Sequence, residues 1–401
     1  MQAQQIVTSP IGSTPGTRRN PAGREATFCR ALMKACVRSV VLVQTGVFVW
    51  AQSATPGFAQ VSSSAEAARQ AGDLPRAILL YQDGVRLNPQ WSQGWWYLGA
   101  LQYGANSYAS AADALTHYLA LMPKAGPAFA LRGQCEFEEG QFSDALKDLA
   151  QAVSLGAAND PRNAGILHFH EALLLTRLGR FEEALGQYGI LVRHGALSDD
   201  VITGLGLAGL RMPILPQDID PSQRDLVTAA GGAASSIMRG DFAAGRQGFE
   251  LAFSRFPAAA NLHYFYGYLL FNTDPDGAIA QFRDELAVNP SGAVDQAMLA
   301  WALGMQGEYA AALQNAEKSA AEDPSLGMAQ LVLGRDLVET GHGKEALPHI
   351  EAALKIEPAN LEVHLALAKV YSELGQREDA RRERLVCLSL EQNQTGADAN
   401  M

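Results

Sequence analysis

Apolar residues along this chain recur at three- and four-residue intervals, the spacing of one helix face, and no run alternates apolar and polar positions as a half-buried strand would. The helical stretches are punctuated at a fixed interval. "GQFSDALKDLAQAV" (140–153), "GRFEEALGQYGILV" (179–192), "GDFAAGRQGFELAFSRFP" (240–257) and "GEYAAALQNAEKSAAEDP" (307–324) each place an aromatic two positions after a glycine and a small residue three beyond that. Prolines close the pattern: Pro89 and Pro123 lie 34 apart, and Pro257, Pro290, Pro324 and Pro358 follow at 33, 34 and 34. A period of 34 built from helical stretches predicts stacked helix pairs. Each recurring residue has a physical role. Glycine permits the left-handed turn that ends a first helix, proline stops the second, and small residues on the facing sides let the helices approach closely.

Counting back from Pro123 starts a repeat at Ser92, with Trp95 at position 4, Leu98 at 7, Gly99 at 8, Ala111 at 20 and Pro123 at 32, and Tyr108 as the aromatic before the second helix. The repeat ending at Pro358 supplies Leu333, Gly334, Gly341, Ala346 and Ala353, and the last supplies Leu367, Tyr371, Gly375 and Ala380. The repeat ending at Pro89 is looser, keeping Ala77 and Tyr81 but placing Ser64 and Ala65 in its first helix. In these residues the chain resembles the tetratricopeptide repeat (TPR) family. The resemblance implies an all-α fold: a right-handed TPR superhelix, or α-solenoid, of about nine helix-turn-helix repeats stabilised by nearest-neighbour interfaces. The repeats fall at about 58–91, 92–125, 126–160, 165–196, 226–258, 259–292, 293–326, 327–360 and 361–392.

The pattern breaks at 197–225. There "SDDVITGLGLAGL" reads as one helix capped by Ser198, and "RMPILPQDIDPSQRD" carries Pro213, Pro216 and Pro221, too dense for a helix. The expected organisation is a leader over 1–57, a TPR block over 58–196, a single helix and strap over 197–225, a second TPR block over 226–392, and a polar, disordered tail over 393–401. The strap's apolar Met212, Ile214 and Leu215 predict packing in preference to a free linker.

The net charge of −11 is unevenly spread. Residues 1–51 hold six of the 31 Lys/Arg and one of the 42 Asp/Glu, so the remainder carries 25 bases against 41 acids and stands near −16. Such a surface repels phosphate backbones, which argues against nucleic acid and anionic lipid as partners. From Met33, a basic start (Lys34, Arg38), an apolar run from Val40 to Ala51 and small residues at Val49/Ala51 or Gly57/Ala59 predict a signal segment over 33–59. The run is shorter than a membrane span and broken by Gln44, Thr45 and Gly46, so cleavage and export to a bacterial periplasm or cell envelope are expected. Residues 1–32 then read as an over-extended start or a disordered leader. Cys29 and Cys36 would be lost with this segment, and the distant Cys135 and Cys387 read as small buried residues.

"HFHEALLL" (168–175) raises the question of a metal, but in register His168 falls at position 4, as do His263 and His364 in their repeats, which marks a packing choice. His168 and His170 also point to nearly opposite sides of a helix, and a zinc-protease pattern would need histidine where Leu174 stands. No catalytic motif is present: "GLGLAG" (204–209) follows no strand, and pairs such as Glu182-Glu183 read as solvated. Neither enzyme activity, cofactor nor metal is expected.

The resemblance places function on the concave face, lined by first-helix positions 2, 5, 9, 12 and 13. These hold Trp96, Tyr103, Phe137, Phe169, Tyr264, Tyr268, Phe271 and Trp301, with the positions of Tyr264, Tyr268 and Phe271 shifted by one to absorb the 33-residue spacing of their unit. Such an aromatic-lined groove predicts capture of a peptide or protein segment, with coverage by neighbouring helices or the strap as the alternative. The Lys/Asn/Arg clamp that one TPR subclass uses on chaperone C-termini is missing from the N-terminal block. In the C-terminal block Arg335 and Lys369 sit at position 9, with Glu339 and Glu373 four residues on as expected partners. The function read from the sequence is thus an exported scaffold or adaptor. A structural spacer or self-assembling solenoid is the alternative, and an accessory subunit or enzyme with an unrecognised site is a third reading.

Overall fold

The structure, a computed structural model, describes residues 56–159 and 161–398. The leader and nearly all of the expected signal segment lie outside the described residues. Among the described residues there are nineteen α-helices and no strand. The first four pairs are α1 (Pro56–Gln70) with α2 (Leu74–Leu87), α3 (Ser92–Gly104) with α4 (Tyr108–Leu121), α5 (Gly126–Glu138) with α6 (Phe142–Ser154), and α7 (Pro161–Arg177) with α8 (Phe181–Arg193). A single helix, α9 (Asp199–Gly209), precedes five further pairs: α10 (Arg224–Met238) with α11 (Phe242–Arg255), α12 (Leu262–Leu270) with α13 (Pro275–Val288), α14 (Ala293–Met305) with α15 (Tyr309–Glu322), α16 (Gly327–Glu339) with α17 (Gly343–Ile356), and α18 (Leu361–Glu373) with α19 (Arg377–Asp398). Consecutive helices pack throughout the described residues, the arrangement of a TPR superhelix. The last helix continues to Asp398, past the 393 start expected for a polar tail.

The repeated residues do the same work in eight of the nine pairs. The turn glycines Gly72, Gly140, Gly179, Gly240, Gly307, Gly341 and Gly375 all have φ between 75° and 85°, and Asn106 takes the left-handed position in the second pair. At one of them the Gln141 N–H donates to the Glu136 carbonyl (2.8 Å) and the Gly140 N–H to that of Phe137 (3.0 Å), which satisfies two orphan carbonyls of α5. Position 8 faces the backbone of position 20. A Cβ added at Gly99, Gly133 or Gly334 would lie 3.1–3.3 Å from the carbonyl oxygen of Ala111, Ala145 or Ala346.

Position 4 is a polar staple between repeats. The side-chain N–H of Trp95, Gln330 and His364 donates to the carbonyl of the proline six residues back, Pro89 (2.9 Å), Pro324 (3.1 Å) and Pro358 (3.1 Å). These carbonyls belong to the turn that ends the preceding repeat, so each bond, worth about 1 kcal/mol, ties one repeat to the next.

Where the period breaks, the array does not. Ser198 caps α9 by accepting from the Val201 N–H (3.3 Å). This helix packs on α7, α8 and α10, so α10 serves as partner to both α9 and α11. The crossing is at backbone contact: a Cβ at Gly206 would meet the Val227 carbonyl oxygen at 2.0 Å, and one at Gly231 would meet that of Ile202 at 2.0 Å. In the strap, Leu215 and Ile219 are buried, with Met212 and Ile214 packed against the same core. One hydrophobic cluster runs from Ala145 through the strap to Ala312.

Gly206→Ala and Gly231→Ala should therefore each destabilise the protein by about 1–3 kcal/mol, because helix separation outweighs the gain in helix propensity. Gly232→Ala, where an added Cβ meets nothing, should be neutral or stabilising. Urea unfolding of the three variants measures the difference.

Candidate functional site

The eight aromatics assigned to the concave face divide into two sets. Trp96, Tyr103 and Tyr264 are buried, while Phe137, Phe169, Tyr268, Phe271 and Trp301 are half-buried. Trp96 and Tyr103 lie in the cluster that joins α3 and α4 to α5, with Trp96 against Tyr118 (5.5 Å between ring centres) and Tyr103 against Tyr108 (5.5 Å). The next repeat covers them, so they are core. The open rings form two groups. Phe137 and Phe169 flank His170, each 5.9 Å from it. Further along, Tyr268, Phe271 and Trp301 form a stripe, with Phe271 and Trp301 edge to face at 6.4 Å.

Tyr264 is covered by the strap. Arg211, at φ 56°, lays its guanidinium over the rings of Phe181 (4.9 Å) and Tyr264 (5.2 Å). Its Nη1 donates to Glu182 Oε1 and to the Tyr264 hydroxyl (3.2 Å), which itself donates to Glu182 Oε1 at 2.8 Å. Glu182 is therefore not a solvated residue like its neighbour Glu183, which is exposed and pairs with Arg180. It ties α8, the strap and α12 together, and no local sequence signal marks it because its partners lie 29 and 82 positions away. Tyr268 stacks 6.3 Å from the Tyr264 ring whose hydroxyl bonds Glu182, and its own hydroxyl is pushed up by burial and then by the Glu182 charge.

The cations of the C-terminal inner face also find internal partners, but not those expected four residues on. Arg335 stacks on Trp301 (4.8 Å) and pairs with Asp336 (3.3 Å). Lys369 reaches back to Glu339 in the preceding repeat.

The histidines are structural. His168 Nδ1 meets Gln187 Oε1 at 2.8 Å, His263 meets Gln281 at 2.8 Å and His364 meets Glu383 at 2.7 Å, each joining a first helix to its second. Gln330 and His349 make the same bond with the residue types exchanged (2.8 Å). His170 instead faces Ile166 O (2.9 Å), and burial lowers its pKa. Among the described residues no group of three His, Cys, Asp or Glu is placed to hold a metal ion. Cys135 and Cys387 are buried and unpaired, and burial pushes the Cys135 thiol up to about 12. An open cleft of about 530 Å³ is lined by Gln82 and Arg86 of α2, Trp95 of α3 and Asp113 of α4, and by none of the open aromatics.

Four carboxyls are held up near neutrality: Glu136, Glu171 and Asp295 to about 7 and Asp336 to about 6, with burial as the largest cause in each. At Asp295, in the first turn of α14, burial and then the Glu285 charge outweigh Arg211. Its Oδ1 has no hydrogen-bond partner. Because the folded state holds this proton more tightly, the stability it contributes is present below about pH 4 and is lost as pH rises through about 7. Asp295→Asn should match the wild type near pH 4 and exceed it near pH 8, by about 2–4 kcal/mol. Urea titrations at the two pH values test this.

Two family models described as tetratricopeptide repeat match the chain, one over residues 63–128 and 130–193 and the other over 337–383. Among solved structures, the crystal structure of MamA is 18% identical with a TM-score of 0.36, over 41% of this chain and 96% of that one. The MamA RS-1 ArsTM double mutant is 18% identical with a TM-score of 0.37, over 42% and 96%. No curated protein matches. With repeat matches in both halves of the chain and a left-handed turn residue in eight of the nine helix pairs, the described residues form an array of tetratricopeptide repeats, the all-α architecture of a TPR solenoid.

Proposed function

We propose that this TPR protein is an exported, non-enzymatic adaptor that holds an extended peptide or protein segment along its concave face. The observation that carries the reading is the stripe of Tyr268, Phe271 and Trp301, three half-open rings on successive first helices, continued by Met305 at 55% exposure. Rings left open where the same helices bury their other faces are the usual mark of a binding surface. Export is supported by the basic start, short apolar run and small residues of 33–59.

A photoreactive residue placed at Trp301 in the full-length chain should crosslink a partner in intact cells, whereas one placed at the exposed Leu251 of α11 should not. Adding Tyr268→Ala and Phe271→Ala should abolish the crosslink without loss of helical circular dichroism. Equal crosslinking at both sites would remove the groove reading. Fractionation with N-terminal sequencing tests export: the mature chain should begin after Ala51 or Ala59, and an intact cytoplasmic chain would exclude it.

One observation favours end-to-end assembly as a second reading. Leu385 and Leu388 stand 59% and 53% exposed, three residues apart on the final helix, where a further repeat would pack. Sedimentation should then show association that Leu385→Glu with Leu388→Glu removes; a wild type that stays monomeric at all concentrations excludes it.

A further inference from the structure

We infer that the segment held by the concave face is basic, with arginine or lysine side chains between apolar anchors, and that one of its cations is received at Glu182 beside Tyr268. The inference rests on the groove reading above and specifies its partner.

Three observations converge. Three cations of this face are already paired, Arg211 with Glu182, Arg335 with Asp336 and Lys369 with Glu339, while Arg177 bonds the Pro213 carbonyl and lies over Phe142. An acidic segment would have to break these pairs, whereas a basic one need break none. Acceptors, by contrast, are left over. Glu182 loads both of its donors on Oε1 and keeps 40% of its side chain exposed, and Glu362 and Glu373 of α18 form no ion pair among the described residues. The chain also displays the expected contact within itself. Arg211 lies across Phe181 and Tyr264 while bonding Glu182, and Arg335 repeats the motif on Trp301 with Asp336. A guanidinium on an aromatic face beside a carboxylate is thus the contact this surface already makes. The acidic body, near −16, would steer a basic partner toward it.

The test is fluorescence anisotropy of the full-length chain with short labelled peptides that alternate leucine with arginine, glutamate or glutamine. The Leu-Arg peptide should bind roughly tenfold or more tightly than the Leu-Gln peptide at low salt, with the gap closing as salt screens the pairs, and the Leu-Glu peptide should bind least. Glu362→Gln with Glu373→Gln, whose side chains lie outside the core, should narrow the gap, as should Glu182→Gln after its melting curve confirms folding. Tyr268→Ala with Trp301→Ala should remove binding of all peptides. If glutamate and arginine peptides bind alike and both are lost in the aromatic variant, the groove reading stands and the basic partner is excluded. If arginine peptides bind equally well to the aromatic variant, attraction is general and the assigned site is wrong. Absence of binding by any peptide overturns the groove reading and this inference together.

Discussion

Helices in this protein meet at backbone distance, and the rest of the array depends on that contact. At Gly99, Gly133 and Gly334 a first helix rests almost on the carbonyl of its second, and at Gly206 and Gly231 α9 and α10 leave no room for a methyl group. Only small residues permit such approach, and once it is made the larger side chains on either side are brought together as core. No pair can bury both of its faces alone. Stability therefore accumulates across interfaces between neighbours, and the position-4 staples reinforce the junctions that the proline turns create.

This dependence explains the strap. A solenoid interrupted at 197–225 would expose two apolar ends, and the chain avoids this by setting α9 against α8 and letting α10 face both α9 and α11. From α11 to α12 the contact is then carried by large rings: Phe249 stacks on Tyr266 at 4.6 Å and Phe253 on His263 at 4.0 Å. The Arg211, Glu182 and Tyr264 network closes the same junction from the strap side. The burial of Leu215 and Ile219 contributes about 1.5–3 kcal/mol each, which favours a docked strap over a hinge.

The fold was legible because a repeat writes its signal many times: Gly140, Gly179 and Gly307 each mark a turn, and Pro89 and Pro324 each end a helix that the structure ends there. His168 at position 4 was legible for the same reason. The groove was legible only in part. Whether a ring at position 5 or 12 stays open depends on the angle at which the next repeat arrives, which no single repeat encodes. Trp96 and Tyr103 are covered and Phe137, at the same position as Tyr103, is not. Lys369 was expected to pair four residues on and Glu182 to be solvated because local helical spacing shows nothing else, whereas their partners lie 30 and 29 positions away across the array. Contacts of that length are properties of the superhelix and leave no periodic trace.

The open rings are not loose. Trp301 carries Arg335 on one side, held flat by Asp336 beneath it, and meets Phe271 at its edge. Asp336 is fully buried, and its burial is tolerated because the Arg335 charge lies against it. The arrangement spends a costly buried carboxylate on fixing the orientation of one half-exposed indole. An immobilised ring loses little side-chain entropy when a ligand lands on it, and that loss is a main cost of binding at a flexible surface. The same device at Arg211 fixes Tyr264 under the strap and so sets the position of Tyr268 above it, 6.3 Å away. Charge pairs that contribute little stability in themselves thus fix the orientation of half-open rings, which is what the proposed capture of a segment would require.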